Sequence, residues 1–188
     1  MTTENRSSDP KNQHQNQNQN QRKRGFRSRR RNRDSDEISL IENVIKIRRV
    51  SKTVKGGRNL SFNAMVAVGD GAGKVGIALA SASAVPDAVQ RAVQYAKNKM
   101  ININLNNTTL PHEVVYKFGS SKVMLKPAAP GTGLIAGGGV RAVLEAVGVK
   151  DVVSKTFGST NAINVVYATV EALKEMKDPK KEIARRKS

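Results

Sequence analysis

The stretch RRVSKTVKGGRNLSFNAMVAVGDGAGKVG, from Arg48 to Gly76, predicts two consecutive β-hairpins around which the rest of the chain is organised. From Leu60 to Val68 bulky and smaller residues alternate, which is typical of a strand with one buried face. Gly56 and Gly57 precede this strand and permit a tight reversal, because only glycine adopts positive φ without steric cost. The stretch therefore predicts an antiparallel sheet.

The first of these hairpins is strongly basic. Its cations, which have no acidic residue among them, are Arg48, Arg49, Lys52, Lys55 and Arg58. A concentrated positive field of this kind favours a polyanionic partner. The alternative is a solvated, charged edge strand, which is a common protection against aggregation.

Working outward, three strands are predicted at about 43–54, 58–68 and 74–80, with a bulge where Arg48 and Arg49 interrupt the alternation. On the third strand Gly76, Ala78 and Ala80 form an unusually small face, which predicts close packing against a helix or an RNA backbone. Pro86 suits the first turn of the helix that follows. The unit is thus three strands and a helix.

A second α+β unit is predicted after a linker rich in Asn, Thr and Pro. Strands are predicted at about 113–118, 121–127 and 151–157. Helices are predicted at about 134–147 and from Thr160 or Asn161, either of which can cap the helix, to Pro179. Gly148 suits the end of the helix over 134–147. The predicted organisation, in chain order, is a disordered Asn/Gln/Arg-rich tail over 1–37, units over 38–105 and 113–178 separated by a linker over 106–112, and a basic tail over 179–188.

The composition points to a nucleic-acid partner. The 188 residues include 33 Lys and Arg against 15 Asp and Glu, a formal net charge of +18. No apolar run approaches the roughly 20 residues that span a bilayer, so a membrane partner is not expected. The absence of cysteine excludes disulfides and thiolate metal sites. His14 and His112 lie too far apart to suggest a metal pair, and Met1 is followed by polar residues, unlike a secretory signal.

Two glycine-rich segments resemble nucleotide-binding loops. Residues 71–76 match the glycine fingerprint, but they join two predicted strands and are better explained as a hairpin turn. Residues 130–136 follow a strand and precede a helix, so a phosphate at the helix N-terminus stays open, as does a close protein contact. A free dinucleotide is not favoured, and no cofactor is expected.

Neither a catalytic nor a metal-binding constellation can be assembled from the sequence, so no enzyme and no small-molecule substrate are expected. Phe62, Phe118 and Phe157 are too scattered to predict a base-stacking sheet. Recognition of shape and phosphate is therefore expected over sequence reading.

Several segments resemble the bacterial type of small-subunit ribosomal protein five. They are RVSKTVKGGR, VGDGAGKVG, LNNTTLPH, PGTGLIAGGGVRAVLE and FGSTNAINVVYAT, which lie in order within about residues 40–178. The resemblance implies a domain like a double-stranded-RNA-binding module, followed by a C-terminal α+β domain with a left-handed β-α-β crossover.

The resemblance also implies a place in the ribosome of the cytoplasm, bound to small-subunit rRNA, and leaves an organelle ribosome open. It implies that ribosomal proteins four and eight are neighbours and that the protein lies near the region where mRNA enters the small subunit. It also implies an influence on decoding accuracy. The segment associated with the contact to protein four corresponds to Gly131, Thr132, Gly133 and Arg141. The loop associated with spectinomycin sensitivity corresponds to Ser51–Arg58.

The leading hypothesis is a ribosomal scaffold protein without enzymatic activity. The residues predicted to bind RNA are Arg48, Arg49, Lys52, Lys55, Gly56, Gly57, Arg58, Lys74 and Lys122. An independent RNA-binding regulator that uses the same surface, and a nucleotide-dependent enzyme that uses the Gly131 loop, are the alternatives.

Overall fold

The computed structural model describes residues 40–187, all within one compact unit that spans Ser39–Ser188. The predicted disordered tail over 1–37 lies outside the described residues. The described chain is mixed α+β with two four-stranded sheets, which confirms the predicted fold class.

The first sheet contains the three predicted antiparallel strands. They are β1 (Ile41–Val54), β2 (Gly57–Gly69) and β3 (Lys74–Ala82), and the short strand β4 (Ile101–Asn102) extends the order to β1-β2-β3-β4. Helix α1 (Val85–Asn98) follows β3 and has Pro86 in its first turn, as predicted. The element order of this unit is therefore confirmed, with one additional edge strand.

Small side chains allow α1 to lie close to the sheet. Ala80 on β3 and Ala92 and Ala96 on α1 belong to one buried cluster. A Cβ at Gly76 would lie 2.1 Å from the carbonyl oxygen of Ala96, a distance that no side chain tolerates. The close partner predicted for the small face of β3 is thus this helix.

The prediction of a single buried face on β2 is wrong for its C-terminal half. Ala64, Val66 and Val68 face α1, whereas Met65 and Ala67 point the other way and are also buried. Their side of the sheet packs against the second half of the chain, so the strand lies between two cores. Alternation of bulky and small residues marks the two faces but does not show that both are covered.

The predicted bulge on β1 occurs earlier than expected. The register with β2 shifts between Val44 and Lys46, and it continues without interruption through Arg48 and Arg49. The extra residue, Ile45, is half-buried and packs against the core shared with the second sheet. Consecutive charges thus interrupt the sequence pattern without interrupting the hydrogen-bonded ladder.

The second sheet has the strand order β5-β6-β8-β7. Its strands are β5 (Val114–Phe118), β6 (Ser121–Pro127), β7 (Leu134–Ile135) and β8 (Val152–Gly158). Strand β7 runs parallel to β8, and helix α2 (Gly138–Val147) connects them, so the predicted β-α-β unit is present. The predicted helix start at 134 is wrong, because residues 134 and 135 pair with β8 before the helix begins.

Helix α3 (Ala162–Lys174) follows β8 and packs against β5, β6 and α2. Contrary to the prediction, Pro179 does not close this helix but begins α4 (Pro179–Lys187) within the predicted basic tail. Proline is favourable at a first helical position, since its missing N–H has no partner there. The same residue type therefore marks a helix start and not a helix end.

Contacts between the β2–β3 turn and α2 join the two halves of the chain. The N–H groups of Gly71 and Gly73 donate to the carbonyl oxygens of Ala146 (3.1 Å) and Val147 (3.0 Å). The last carbonyl groups of a helix lack intrahelical partners, and the amides of this turn supply partners for two of them. Gly148 ends α2 with φ +92°, which confirms the predicted glycine cap.

Candidate nucleic-acid interface

The distal half of the β1–β2 hairpin extends beyond both cores. Every residue from 51 to 60 is exposed, whereas β2 becomes fully buried from Ala64 onward. Val54 pairs with Gly57, and Lys55 and Gly56 form the turn, in which Gly56 has φ +91°. A Cβ at Gly56 or Gly57 would contact nothing within 4 Å, so the tip is surrounded by open space.

The strand register divides the cations of the hairpin between its two faces. Arg48 lies opposite Asn63 and Lys52 opposite Asn59, on one face. Arg49, opposite Phe62, and Arg58, opposite Thr53, lie on the other face. Because Lys55 occupies the turn, the hairpin presents positive charge on both sides and at its tip. In the alternative interpretation, a charged edge strand carries its charges only to protect the edge of the sheet. Here the cations lie on both faces of the hairpin, and neither face of the tip is covered.

Sequence reasoning missed one cation of this surface, Lys46. It is exposed and lies opposite Met65, on the same face as Arg48 and Lys52. The bulge at Ile45 places it there by shifting the phase of the strand. Positions 46, 48 and 52 are separated by even numbers of residues, which places them on one face of a continuous strand. The bulge predicted at Arg48 and Arg49 obscured this relation, because it would have changed the face between these positions.

Arg48 is fixed in position by the second half of the chain. Its Nη2 donates to Oδ1 of Asn161 over 2.9 Å. Asn161 occupies the residue before α3, yet its side chain makes no cap hydrogen bond to the helix. The predicted capping role of Asn161 is therefore wrong, because its oxygen instead anchors the base of the hairpin.

The other two predicted RNA-binding lysines lie apart from the hairpin. Lys74 is the first residue of β3, next to the turn that follows Gly69. The twelve residue steps of β2 from Gly57 to Gly69 correspond to roughly 40 Å, at about 3.3 Å per step. Lys122 lies on the second sheet, opposite Lys117. The structure thus brings together the cations of the hairpin and leaves Lys74 and Lys122 at separate places.

The glycine-rich loop before β7 already holds an anion that belongs to the chain itself. The N–H groups of Gly131 and Gly133 both donate to Oδ1 of Asp151, each over 3.0 Å. The two glycines have φ +89° and +78°, which directs both amides toward this one oxygen. A bound phosphate would have to displace a carboxylate that is part of the fold.

The environment of Asp151 keeps this carboxylate ionised. The hydrogen bond from the backbone of Gly133 lowers its pKa most, burial opposes the shift by raising the pKa, and Thr108, Gly131 and Lys150 lower it further. The result is a pKa below the ordinary value for aspartate. Because the carboxylate remains charged, it stabilises the loop over the whole neutral range of pH.

The remaining residues of the predicted protein interface are exposed. Thr132 donates its hydroxyl to the carbonyl of Ala129 over 2.8 Å. Arg141 lies in the first turns of α2 and pairs with Glu145 over 2.8 Å. The loop is thus held internally by Asp151 while Thr132 and Arg141 remain accessible.

The other nucleotide-like segment, residues 71–76, comprises the β2–β3 turn and the first residues of β3. Oδ1 of Asp70 accepts from the N–H groups of Ala72 and Lys74, each over 2.9 Å, and the amides of Gly71 and Gly73 are bound by α2. Those amides face the C-terminus of a helix, where the partial charge is negative and a phosphate would be repelled. The interpretation as a hairpin turn is confirmed.

Within residues 40–187 no cluster of three or more His, Cys, Asp or Glu side chains has a geometry suited to a metal ion. Over the same described part of the chain, no helix combines the length and apolar character needed to cross a membrane.

A basic α+β protein with two small sheets and a projecting cationic hairpin belongs to the class of RNA-binding proteins by its charge and architecture. Family profiles match residues 40–104 as the N-terminal domain and 116–187 as the C-terminal domain of ribosomal protein S5. The chain belongs to the ribosomal protein S5 family. Members of this family are structural components of the ribosome and not enzymes, and RNA binding and a role in translation follow from membership.

Curated relatives agree with this assignment. The small ribosomal subunit protein uS5 of Chloroflexus aurantiacus is 55% identical over 141 residues, which cover 75% of this chain and 79% of the relative. The protein of the same name from Dehalococcoides mccartyi is 50% identical over 152 residues, covering 81% and 88% of the two chains. That of Pseudoalteromonas translucida is 53% identical over 147 residues, covering 78% and 88%.

Proposed function

We propose that this protein is a structural constituent of the small ribosomal subunit in the bacterial cytoplasm, where it binds rRNA mainly through the β1–β2 hairpin. The observation that carries the proposal is the exposure of residues 51–60, with cations on both faces and at the tip. No acidic residue occurs between Glu42 and Asp70. A ribbon of this kind can neutralise phosphates on two sides at once, as insertion between RNA segments requires.

The cations of the hairpin have two roles in this proposal. Arg49, Lys52, Lys55 and Arg58 are exposed and contact phosphate groups of folded RNA. Arg48 also orients the hairpin, because its bond to Asn161 fixes the base of the ribbon relative to α3. Gly56 and Gly57 contribute by leaving open space in which an RNA backbone can approach the turn closely. Lys74 and Lys122 make separate phosphate contacts.

The proposal extends to neighbouring molecules of the subunit. The exposed Gly131-Thr132-Gly133 loop and Arg141 form the contact with ribosomal protein four, and ribosomal protein eight is a second neighbour. A Cβ at Gly131 or Gly133 would contact nothing within 4 Å, which supports a close approach by a partner. The protein lies near the point where mRNA enters the subunit and supports the accuracy of decoding.

Sedimentation of a cell lysate through a sucrose gradient tests the main proposal. The protein is expected in the small-subunit fractions at a salt concentration that preserves subunits. Replacing both Lys55 and Arg58 by alanine should move part of it to the top of the gradient. The matched control is Lys97→Ala, which removes a cation that is paired with Glu42 on the first sheet. A large free pool of the unaltered protein would instead indicate an independent regulator.

The contact with ribosomal protein four and the effect on accuracy are tested separately. Thr132→Lys places a bulky cation on the exposed loop and is expected to raise stop-codon readthrough in a reporter strain while sedimentation stays unchanged. Unchanged readthrough together with normal incorporation would contradict the role in accuracy but not the binding of rRNA.

A further inference from the structure

The outer face of the second sheet carries an unusual mixture of cations and apolar side chains. Strand register places on this face, which lies opposite to the helices, the residues Val115, Lys117, Lys122, Met124, Lys126, Ile135, Val153, Lys155 and Phe157. Four of the nine are lysines and none is acidic. Glu113, next to β5, pairs with Lys126 at 3.8 Å and leaves the other three lysines without an acidic partner among the described salt bridges.

One row across the sheet combines two cations and an aromatic ring. Lys117 lies directly opposite Lys122, which lies directly opposite Phe157. Neighbouring strands are about 4.8 Å apart, so the three side chains stand side by side. Lys155 precedes Phe157 by two residues and therefore lies on the same face. Phe157 is 45% exposed and makes no ring contact among the described residues, whereas Phe118 on the opposite face, which is 39% exposed, stacks on Tyr167 at a centroid distance of 5.4 Å.

This row is not explained by the stability of the sheet. Like charges directly opposite each other on neighbouring strands destabilise the pairing, and a ring that is 45% exposed leaves much of its apolar surface in water. Both features become favourable when a polyanion with a flat, apolar component covers the face. A strand of RNA has those two components, since its phosphates neutralise lysines and its unpaired bases stack on aromatic rings.

We infer that this face binds a single-stranded segment of RNA, in which one base stacks on Phe157 and the adjoining phosphates contact Lys117, Lys122 and Lys155. The inference rests on the RNA-binding role proposed above but assigns a second surface to it, on a different sheet from the hairpin. A duplex is a poor occupant, because its bases are already stacked and paired. Unlike the hairpin, this face therefore distinguishes unpaired from paired RNA.

Fluorescence anisotropy with the full chain tests the assignment of Phe157. The probes are a labelled single-stranded oligoribonucleotide and a labelled RNA duplex of the same length. Phe157→Leu is expected to weaken binding of the single strand about tenfold, because a base–aromatic stack is lost. Phe157→Tyr should retain the affinity, since tyrosine also offers a flat ring. Neither change should alter the binding of the duplex or the melting temperature.

A charge-matched pair of double variants tests the lysines. Lys117→Ala with Lys122→Ala removes two positive charges from the sheet, and Lys55→Ala with Arg58→Ala removes two from the hairpin. The first should reduce the salt slope for the single strand by about 1.4, at about 0.7 per phosphate contact. The second should mainly affect the duplex. The terminal basic segments are the same in all variants, so their contribution cancels in the comparison.

The outcomes separate this inference from the proposed function. Equal single-strand affinity of the parent, Phe157→Leu and Phe157→Tyr would overturn the stacking role, even if the hairpin variant still loses duplex binding. An unchanged salt slope in the Lys117 and Lys122 variant would show that these lysines do not contact phosphates and would overturn their role in binding. If the variant with Lys55→Ala and Arg58→Ala binds the duplex as well as the parent does, the proposed function is contradicted. The second surface stays supported in that case, provided that the Phe157 and lysine variants behave as expected.

Discussion

Two glycines at opposite ends of β2, Gly56 and Gly69, are required for different physical reasons. At the Lys55–Gly56 turn, Gly56 adopts φ +91° and nothing lies within 4 Å of a side-chain position. At the other end, a Cβ at Gly69 would lie 2.0 Å from the carbonyl oxygen of Ala146, although its φ is not positive. Gly56 is therefore needed for its conformation, whereas Gly69 is needed for space.

This difference corresponds to a difference in role. The amides of Gly71 and Gly73 in the β2–β3 turn are bound by the end of α2, so these amides stabilise the fold and are not free to bind a ligand. The tip turn is exposed and flanked by cations, so it is free to contact a partner. A glycine-rich pattern therefore indicates a site only when the groups around it are not already used within the chain.

The largest effect is expected from Gly69→Ala. The new methyl group would meet backbone oxygens of Ala146 and Lys74, at 2.0 and 2.8 Å, and neither can move without separating the turn from α2. We expect a loss of about 3 kcal/mol in the free energy of unfolding, measured by urea denaturation. Gly57→Ala, at the other end of the same strand, is the matched control and should change the value by less than about 0.5 kcal/mol. Equal effects of the two would contradict the comparison.

A smaller effect is expected from Gly56→Ala. Alanine at φ +91° is strained by about 1–2 kcal/mol even in open space, because its Cβ approaches the backbone. Urea denaturation should show this loss, and the tip should become more mobile by amide hydrogen exchange at residues 54–58. Gly56→Asn should cost less, since asparagine tolerates the left-handed region better. No difference between alanine and asparagine would indicate that the turn has changed type.

Asp151→Asn is expected to destabilise the Gly131 loop in a pH-dependent manner. The asparagine oxygen can still accept from Gly131 and Gly133, so only the charge is lost. The pKa of Asp151 is lowered in the folded state, so its contribution is fully present above the ordinary pKa of about 3.9 and is lost as the pH falls through the lowered value.

Thermal melting of both proteins measures this effect. The melting temperature of the variant should lie below that of the parent at pH 7, and the two should converge as the pH falls through the lowered pKa of Asp151. A difference that persists at the lower pH would show that the charge of Asp151 is not its source.

Lys55→Ala combined with Arg58→Ala should have almost no effect on stability. Both side chains are exposed and no described hydrogen bond or salt bridge involves them. The variant should bind duplex RNA more weakly, and the slope of log affinity against log salt should fall by about two, one for each phosphate contact. An unchanged slope would mean that these side chains only face solvent.

The sequence predicted the parts of this molecule that depend on local patterns. The first three strands, the Asp70 turn and the Gly148 cap follow from short-range patterns, and each was confirmed. Two of the failures involve long-range partners: residues 134 and 135 are extended because β8 pairs with them, and the side chain of Asn161 binds Arg48 and does not cap α3.

The candidate site follows the same division. The charge of the hairpin could be read directly from the sequence, but its two-faced arrangement depends on the register with β2. The row of Lys117, Lys122 and Phe157 could not be predicted, because the sheet brings Phe157 beside residues that are 35 and 40 positions away in the sequence. Scattered aromatic residues therefore say little about stacking surfaces until strand order is known.

The contact of Gly71 and Gly73 with the end of α2 also has a consequence for synthesis of the chain. Its partners are separated by roughly 75 residues, so the apolar side of β2 and β3 that carries Met65 and Ile77 stays uncovered until α2 has left the ribosome. At about 5–20 residues per second, that interval lasts several seconds. During this time the nascent first sheet exposes an apolar surface that chaperones recognise, and a chain truncated before α2 would keep it exposed permanently.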